Sequence, residues 1–345
     1  MRGAVVREGS IIAIALLAAA AAGSLLVLAY GESPAAVYGL LFKSTWTSQH
    51  GIGQVLFKAT PLVLTGLSVA LAFRAGLFNI GAEGQLAVGA FATALAGAGL
   101  PIDTPAALAL PLALAAGVAA GALWGAIPGA LKAWTGSHEV INTIMMNFIA
   151  AGLLLWAGNA GAFVAETEHT RRVVEGAFLP ALGLAGSAAN LAFFIALACA
   201  GGVWFFLART RGGFELRALG LAPLAAEAGG VDLRRVTVLA MAASGALAGL
   251  VGANFVLGYK HYYENGMGSG TGYMGIAVAL LGRNHPAGVI AAALFLATLQ
   301  HGGLAASELV PRELIDVLQA VIILALAASS AEVRRLLARS PEVAA

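Results

Sequence analysis

The chain has 345 residues, 60% of them hydrophobic and only 10% charged, with a mean hydropathy of +0.88 and a formal net charge of +2. Soluble domains carry about a quarter charged residues, so a soluble enzyme or binding module is excluded. Charge-free runs at 9–31, 104–131, 140–165, 176–208 and 236–259 each exceed the ~20 apolar residues that cross a bilayer, as in a polytopic membrane protein.

In chain order, spans are expected near 10–30, 52–73, 76–99, 105–131, 139–159, 189–208, 236–257, 270–282, 286–301 and 313–330. The first follows Arg2, Arg7 and Glu8 like a signal peptide, but its apolar run is too long for an h-region, so it reads as a retained helix. The 270–282 piece is short for a crossing and fits a half-helix or re-entrant segment. An all-α fold of about ten crossings puts both termini on one side. With the N-terminus inside, thirteen of the nineteen Lys and Arg fall inside, among them Arg74, Lys132, Arg209, Arg211, Arg217, Arg234, Arg235 and Arg283. The positive-inside rule therefore places both termini in the cytoplasm. The tail 331–345 then reads as a basic cytoplasmic end.

Residues 160–188 form an outer loop in this topology and 209–235 an inner one. Neither can build its own core, so residues 1–345 are expected to form a single membrane domain, with any energy source on another chain. In "AAGVAAGALWGAIPGA" (115–130), Gly117, Gly121, Gly125 and Gly129 recur at every fourth position. They give one smooth helix face for close packing. Cys199 is the single cysteine, so no disulfide or cysteine-based metal site forms within the chain.

Three stretches carry polar groups into apolar surroundings. "AGLFNIGAEGQLAVGA" (75–90) holds Asn79, Glu83 and Gln85 beside glycines 76, 81, 84 and 89. A carboxylate in hydrocarbon costs several kcal/mol on insertion scales, and loosened helix is tolerated only beside protein or water. A broken helix lining a polar cavity is the favoured reading; a polar bend at the surface, with Arg74 and Glu83 solvated, is the other. "GSHEVINTIMMNF" (136–148) opens a later span. His138 and Glu139 lack further metal ligands and fit a helix cap at the interface. Asn142 and Asn147 lie deeper and are cavity candidates, with Thr143 sharing a face with Asn147. In "YKHYYENGMGSGTGYMGIAVALLGRNHPAGV" (259–289), Tyr259, Tyr262, Tyr263 and Tyr273 fit an interfacial aromatic belt. They would also suit stacking on a flat ring. The run "GMGSGTG" lacks the Lys-Ser/Thr ending of a phosphate loop. In the inner loop, "FELRALGLAPLAAEAGGV" reads as two short helices around Pro223, ended by Gly229 and Gly230. Such an element can dock in a partner's groove.

Taken in order, "GLFNIGAEGQ" (76–85), "HEVINTIMMNF" (138–148), "RALGLAPLAAEAGGV" (217–231) and "GYMGIAVALLGRNHP" (272–286) resemble the inner-membrane permeases of nucleoside-type ABC importers. These belong to the broader ribose-type and branched-chain-amino-acid-type permease superfamily. The resemblance runs from about residue 50 to 330. It implies a type II importer fold and a subunit that moves nucleosides inward by alternating access, with no catalytic residue, cofactor or metal of its own. It further implies a cytoplasmic ATP-binding subunit, a second related permease (or a second copy) and an extracytoplasmic substrate-binding lipoprotein, with membrane lipid around the chain and no nucleic-acid partner. On this resemblance Arg217, Ala218, Gly220, Ala225, Ala226, Glu227 and Gly230 contact the ATPase. Asn79, Glu83, Gln85, Asn142 and Asn147 lie near the translocation path. Where the family commonly has Asn-Pro, this chain has Ala222-Pro223, which removes one capping side chain. A permease for ribose or another simple sugar is the runner-up. An autonomous channel or ion-coupled carrier would need a ring or relay of intramembrane charges, whereas Glu83 stands nearly alone. A membrane enzyme would need clustered ligands, and the six histidines are scattered.

Overall fold

The computed structural model describes residue 17 and residues 20–311, 313–321 and 323–325. Among these residues there is no β-strand, and extended pairing is confined to three isolated bridges. Six helices are long and apolar enough to cross a membrane, or seven if one sharply bent pair is a single span. The chain divides into two units, residues 53–297 and the remainder.

In the smaller unit, α1 (Ala20–Tyr30) and α2 (Pro34–Trp46) meet at 113°. The bend is built by Gly31, at φ +97, whose N–H bonds the Leu28 carbonyl while that of Glu32 bonds Val27. This is the left-handed glycine ending of a helix, and Pro34 then starts the next one. The expected spans omit α2, whose thirteen residues are too few to cross a bilayer. Val27 and Val37 pack with Ala306, Val310, Ile315 and Leu318. Most of the expected 10–30 span before Ala20, the end of the 313–330 span and the tail 331–345 lie outside the described residues.

The larger unit is organised around α3 (Gln49–Arg74), which is apolar and buried on nearly every side. Pro61 inside it has no N–H, so the Phe57 carbonyl one turn earlier is released. The fully buried Asn254 side chain donates to that carbonyl at 3.2 Å. Then follow α4 (Ala82–Ala98), α5 (Ala106–Thr135) and α6 (Glu139–Ala157), the last extended by a wide turn at Gly158–Ala162. Beyond these come α7 (Ala192–Arg209), α8 (Arg211–Leu221), α9 (Pro223–Ala228) and α10 (Leu233–Gly249), which continues in a wider coil over Ala253–Lys260. Finally, α11 (Thr271–Leu281) precedes α12 (Pro286–Ala306).

The most extensive packing is between α5 and α10. The buried face of α5 consists of Ala109, Ala113, Gly117, Gly121, Gly125 and Gly129, joined by Pro128. A Cβ on Gly121 would collide with the Gly245 carbonyl, one on Gly245 with the Gly121 carbonyl, and one on Gly249 with the Gly117 carbonyl. Lipid tails are as apolar as the side chains, so close van der Waals approach rather than hydrophobic exclusion holds such helices together. The four-residue glycine repeat serves that packing.

Two expected spans differ in detail. The 76–99 span begins at Ala82, because residues 75–81 are not helical. α11 has eleven residues, about 17 Å at ~1.5 Å per residue, so it is half a crossing.

Candidate functional site

The break at 75–81 is assembled from its own sequence. Gly76 takes φ +72; its N–H bonds Phe73, and the Leu77 N–H bonds Ala72. Both bonds close the end of α3 in the glycine motif that terminates helices. Phe73 and Phe78 stack edge-to-face across the turn, centroids 4.9 Å apart. Asn79 then accepts from the Gly81 N–H at 3.0 Å, opening α4.

Asn79 and Gln85 are fully buried and partner each other. The Asn79 amide donates to Gln85 Oε1 at 2.8 Å and to Ser244 Oγ at 2.8 Å, and Gln85 Nε2 returns a bond to Asn79 Oδ1 at 3.1 Å. Ser244 also bonds Ser68, by hydroxyl at 2.9 Å and by carbonyl at 2.7 Å. One polar network thus joins α3, the break, α4 and α10.

Asn147 on α6 spans the same break from the other side. Its amide donates to the Ile80 carbonyl at 3.0 Å and its oxygen accepts from the Gly84 N–H at 2.9 Å. It stands in for the missing turn of helix, satisfying backbone groups that water cannot reach. The amide also donates to Tyr273 Oη at 3.2 Å. Glu83 accepts from the Gly270 and Gly272 N–H groups at 2.6 and 2.7 Å, so one carboxylate caps α11 from the first turn of α4. Helix N-termini favour such negative charge. A Cβ on Gly272 would collide with the Glu83 backbone.

The structure therefore gathers Glu83 and Asn147 with Tyr273, which is 46% exposed, at a partly open polar site. Asn79 and Gln85 lie behind it in closed contact. Asn142 is separate, donating to Ser137 Oγ at 2.6 Å about 7 Å along α6 from Asn147 at ~1.5 Å per residue. The neighbouring Glu139 pairs with Lys132 at 2.9 Å, tying α6 to the end of α5, while His138 supplies no side-chain cap. Tyr273, which the sequence leaves open between an aromatic belt and stacking on a flat ring, stands with these polar groups. Its signal was a tyrosine directly after the glycine run.

At the other edge, α8 and α9 form the expected helical hairpin. Thr210 caps α8 through the Gly213 N–H at 3.1 Å, Ala222 offers no side chain to cap α9, and Gly230 ends it at φ +84. Gly220 packs so closely on the break that its α-carbon lies 3.1 Å from where a Gly76 Cβ would stand. Arg217, Ala218 and Gly220 are half-buried on that side, and Ala226 is buried; Ala225, Glu227 and Gly230 are exposed. Leu221 and Leu224, missed in the sequence, are 86% and 83% exposed at the hairpin tip.

Elsewhere, residues 163–179, which include a 3₁₀ turn at Glu175–Ala177, lie against the segment after α10. The Thr170 N–H bonds the Tyr263 carbonyl, and the Val173 N–H bonds His261, each at 2.8 Å. Tyr263 is buried against Phe91, a correction to its place in the aromatic belt. Burial pushes its hydroxyl up to about 12. His261 stacks on Phe178 at 3.7 Å, and burial with the nearby Arg172 lowers its imidazole below the usual range. Among the described residues no group of three His, Cys, Asp or Glu is placed to hold a metal.

Apolar spanning helices around a broken helix, with a helical hairpin abutting the break, describe a membrane permease. The chain matches the family of branched-chain amino acid transport system permease components over residues 51–327, and it belongs to that family. It is 41% identical, over 92% of both chains, to the guanosine ABC transporter permease protein NupP of Bacillus subtilis (strain 168). The nucleoside ABC transporter permease protein NupB of Lactococcus lactis subsp. cremoris is 34% identical over 87% of this chain and 85% of its own. The glucose ABC transporter permease protein TsgB13 of Haloferax volcanii is also 34% identical, over 92% of this chain and 86% of its own. No solved structure matches the chain. The protein is a permease component of an ABC transporter, which sets aside the autonomous channel or ion-coupled carrier.

Proposed function

We propose that this permease carries nucleosides into the cytoplasm, powered by ATP hydrolysis on a separate subunit docked at the α8–α9 hairpin. The observation that carries the substrate class is the 41% identity, over nine-tenths of both chains, to a permease named for guanosine. Ring nitrogens, carbonyls and ribose hydroxyls ask for mixed donors and acceptors, and Glu83, Asn147 and Tyr273 offer both. The exposed Leu221 and Leu224 give the hairpin an apolar tip for a groove on the ATPase. Its contact at Gly76 would pass a movement of the hairpin to the broken helix. Hinged or sliding helices of this kind support alternating access.

In this reading the path runs past Asn79, Glu83, Gln85, Asn142 and Asn147, and a second permease, related or identical, covers the open side. Exposed Ile141, Met145 and Phe148 beside that site suit such a cover. A binding lipoprotein delivers substrate at the outer face formed by residues 160–188. Counting the six long helices, the bent pair, α4, the half-span α11 and the helix starting at 313 gives the ten membrane segments of a type II importer, with both termini inside. The similarity to a glucose permease favours a monosaccharide as the second reading.

The test is uptake of labelled guanosine and uridine by cells with and without the gene, before and after ATP depletion. Gene- and ATP-dependent uptake, competed by nucleosides and not by glucose or ribose, is the expected result. Gene-dependent uptake of a sugar alone would overturn the substrate, and nucleoside uptake that survives ATP depletion would overturn the coupling.

A further inference from the structure

We propose that a basic recess at one end of α7, adjoining an apolar groove along the same helix, binds an anionic phospholipid. The recess, about 140 Å³, is lined by Arg74 from α3, Trp204 from α7, Arg217 from α8 and His285 before α12. The groove, about 400 Å³, is lined by Leu197, Ala200 and Gly201 of α7 and Ile290 of α12. Trp204, His285 and Pro286 border both spaces, so the recess and the groove adjoin.

The charge of the recess is uncompensated. Arg74 uses Nε on the Asn284 carbonyl at 3.0 Å, and Arg217 uses Nε on the Gly213 carbonyl at 3.3 Å. Each bond engages only Nε, and both arginines line the recess. Among the described residues, no carboxylate lies within ion-pair distance of either arginine. His285 Nδ1 accepts from the Ala287 N–H at 3.3 Å, which leaves Nε2 as the donor. Two guanidiniums and an imidazole N–H converging in one recess suit a phosphodiester, which arginine binds through paired hydrogen bonds.

The attached groove selects an amphiphile over a soluble anion. Leu197, Ala200, Gly201 and Trp204 follow helical spacing along one face of α7. From Leu197 to Ala208 the helix rises about 16 Å, close to half of the ~30 Å hydrocarbon thickness. A headgroup in the recess would thus lay its acyl chain over one leaflet. Neighbouring Phe194 and Phe205 are more than half exposed, as on a lipid-facing surface. Basic pockets between membrane helices hold acidic headgroups on these terms, and the site is independent of what the permease transports.

The experiment places the purified full-length chain in nanodiscs and titrates phosphatidylglycerol or phosphatidylcholine brominated on the acyl chain. The Trp204 signal is the fluorescence of the wild type minus that of Trp204→Phe. It should be quenched at a mole fraction of phosphatidylglycerol at least threefold lower than of phosphatidylcholine. Arg74→Gln with Arg217→Gln should remove the preference. Equal quenching by the two lipids in the wild type would overturn the proposal, as would a preference that survives in a folded double variant. If the double variant does not fold, the wild-type comparison decides alone. Loss of quenching by both lipids on adding the ATPase subunit would assign the recess to that protein and also overturn it.

Discussion

The α5–α10 seam and the 75–81 break both bring backbone together inside an apolar unit, by opposite means. In the seam both helices run unbroken, so they need only small side chains to approach. Gly121 and Gly245 meet carbonyl against α-carbon with no polar side chain between them. In the break the helix is interrupted, and Asn79 and Asn147 supply backbone bonds that the missing turns would have made, while Gln85 holds Asn79 and Glu83 caps the neighbouring α11. A regular seam resists movement because its fit is steric and backbone-to-backbone. The break is held by side-chain bonds that can be exchanged, and it adjoins the hairpin at Gly220. The two regions of this permease are thus distinguished by which atoms satisfy the backbone.

The seam should give the largest effect. Gly245→Leu forces side-chain atoms into the Gly121 carbonyl, and overpacking costs about 1–3 kcal/mol even where neighbours can yield. Backbone cannot yield, so monodisperse protein on gel filtration should fall at least tenfold. Gly152→Leu, where a Cβ meets open space, should leave it unchanged. A tolerated Gly245→Leu would break the steric account of the seam.

Next in size is Asn79→Leu. It strands the Gln85 amide and the Gly81 N–H, worth about 1–3 kcal/mol for each buried group left unpartnered, while Ser244 keeps its bonds to Ser68. Thermal unfolding in detergent should drop sharply. Asn147→Ala strands only the Ile80 carbonyl and the Gly84 N–H, so its drop should be smaller, and Asn147→Asp, which keeps the acceptor for Gly84, should sit between Ala and wild type. A reversed order would place the main anchor of the break on α6.

The smallest shift is expected for Glu83→Gln. One oxygen still accepts from the start of α11, and the lost charge at a helix N-terminus is worth about 0.3–1 kcal/mol. Unfolding should barely move, while ATP-dependent uptake falls if this carboxylate meets substrate. Equal losses in both readouts would make Glu83 a structural cap and nothing more.

Much of the seam was legible in the sequence, because a four-residue repeat of glycine has few uses in a long apolar helix. The break was legible too: Asn79 and Glu83 among glycines have no place on a lipid-facing helix. Their partners were not. Ser244 lies 165 positions from its partner Asn79, and Asn147 lies 67 from its partner Ile80, and nothing local says which amide meets which carbonyl. For the same reason Tyr273 joined the site and Tyr263 the core unannounced, since an aromatic in a glycine-rich stretch reads alike in either place. The role of Gly220 was hidden because a close backbone approach leaves no mark beyond the glycine itself.

The most direct measurement is thiol labelling of Ile80→Cys in a Cys199→Ser background, where the break holds the single cysteine. Cells that also express the transporter's other subunits are treated with a membrane-impermeant maleimide, with and without guanosine. A break beside the solute path predicts labelling that guanosine slows at least threefold and that changes when ATP is depleted. Labelling at one rate in every condition, or none in any, would contradict a translocation path past this helix.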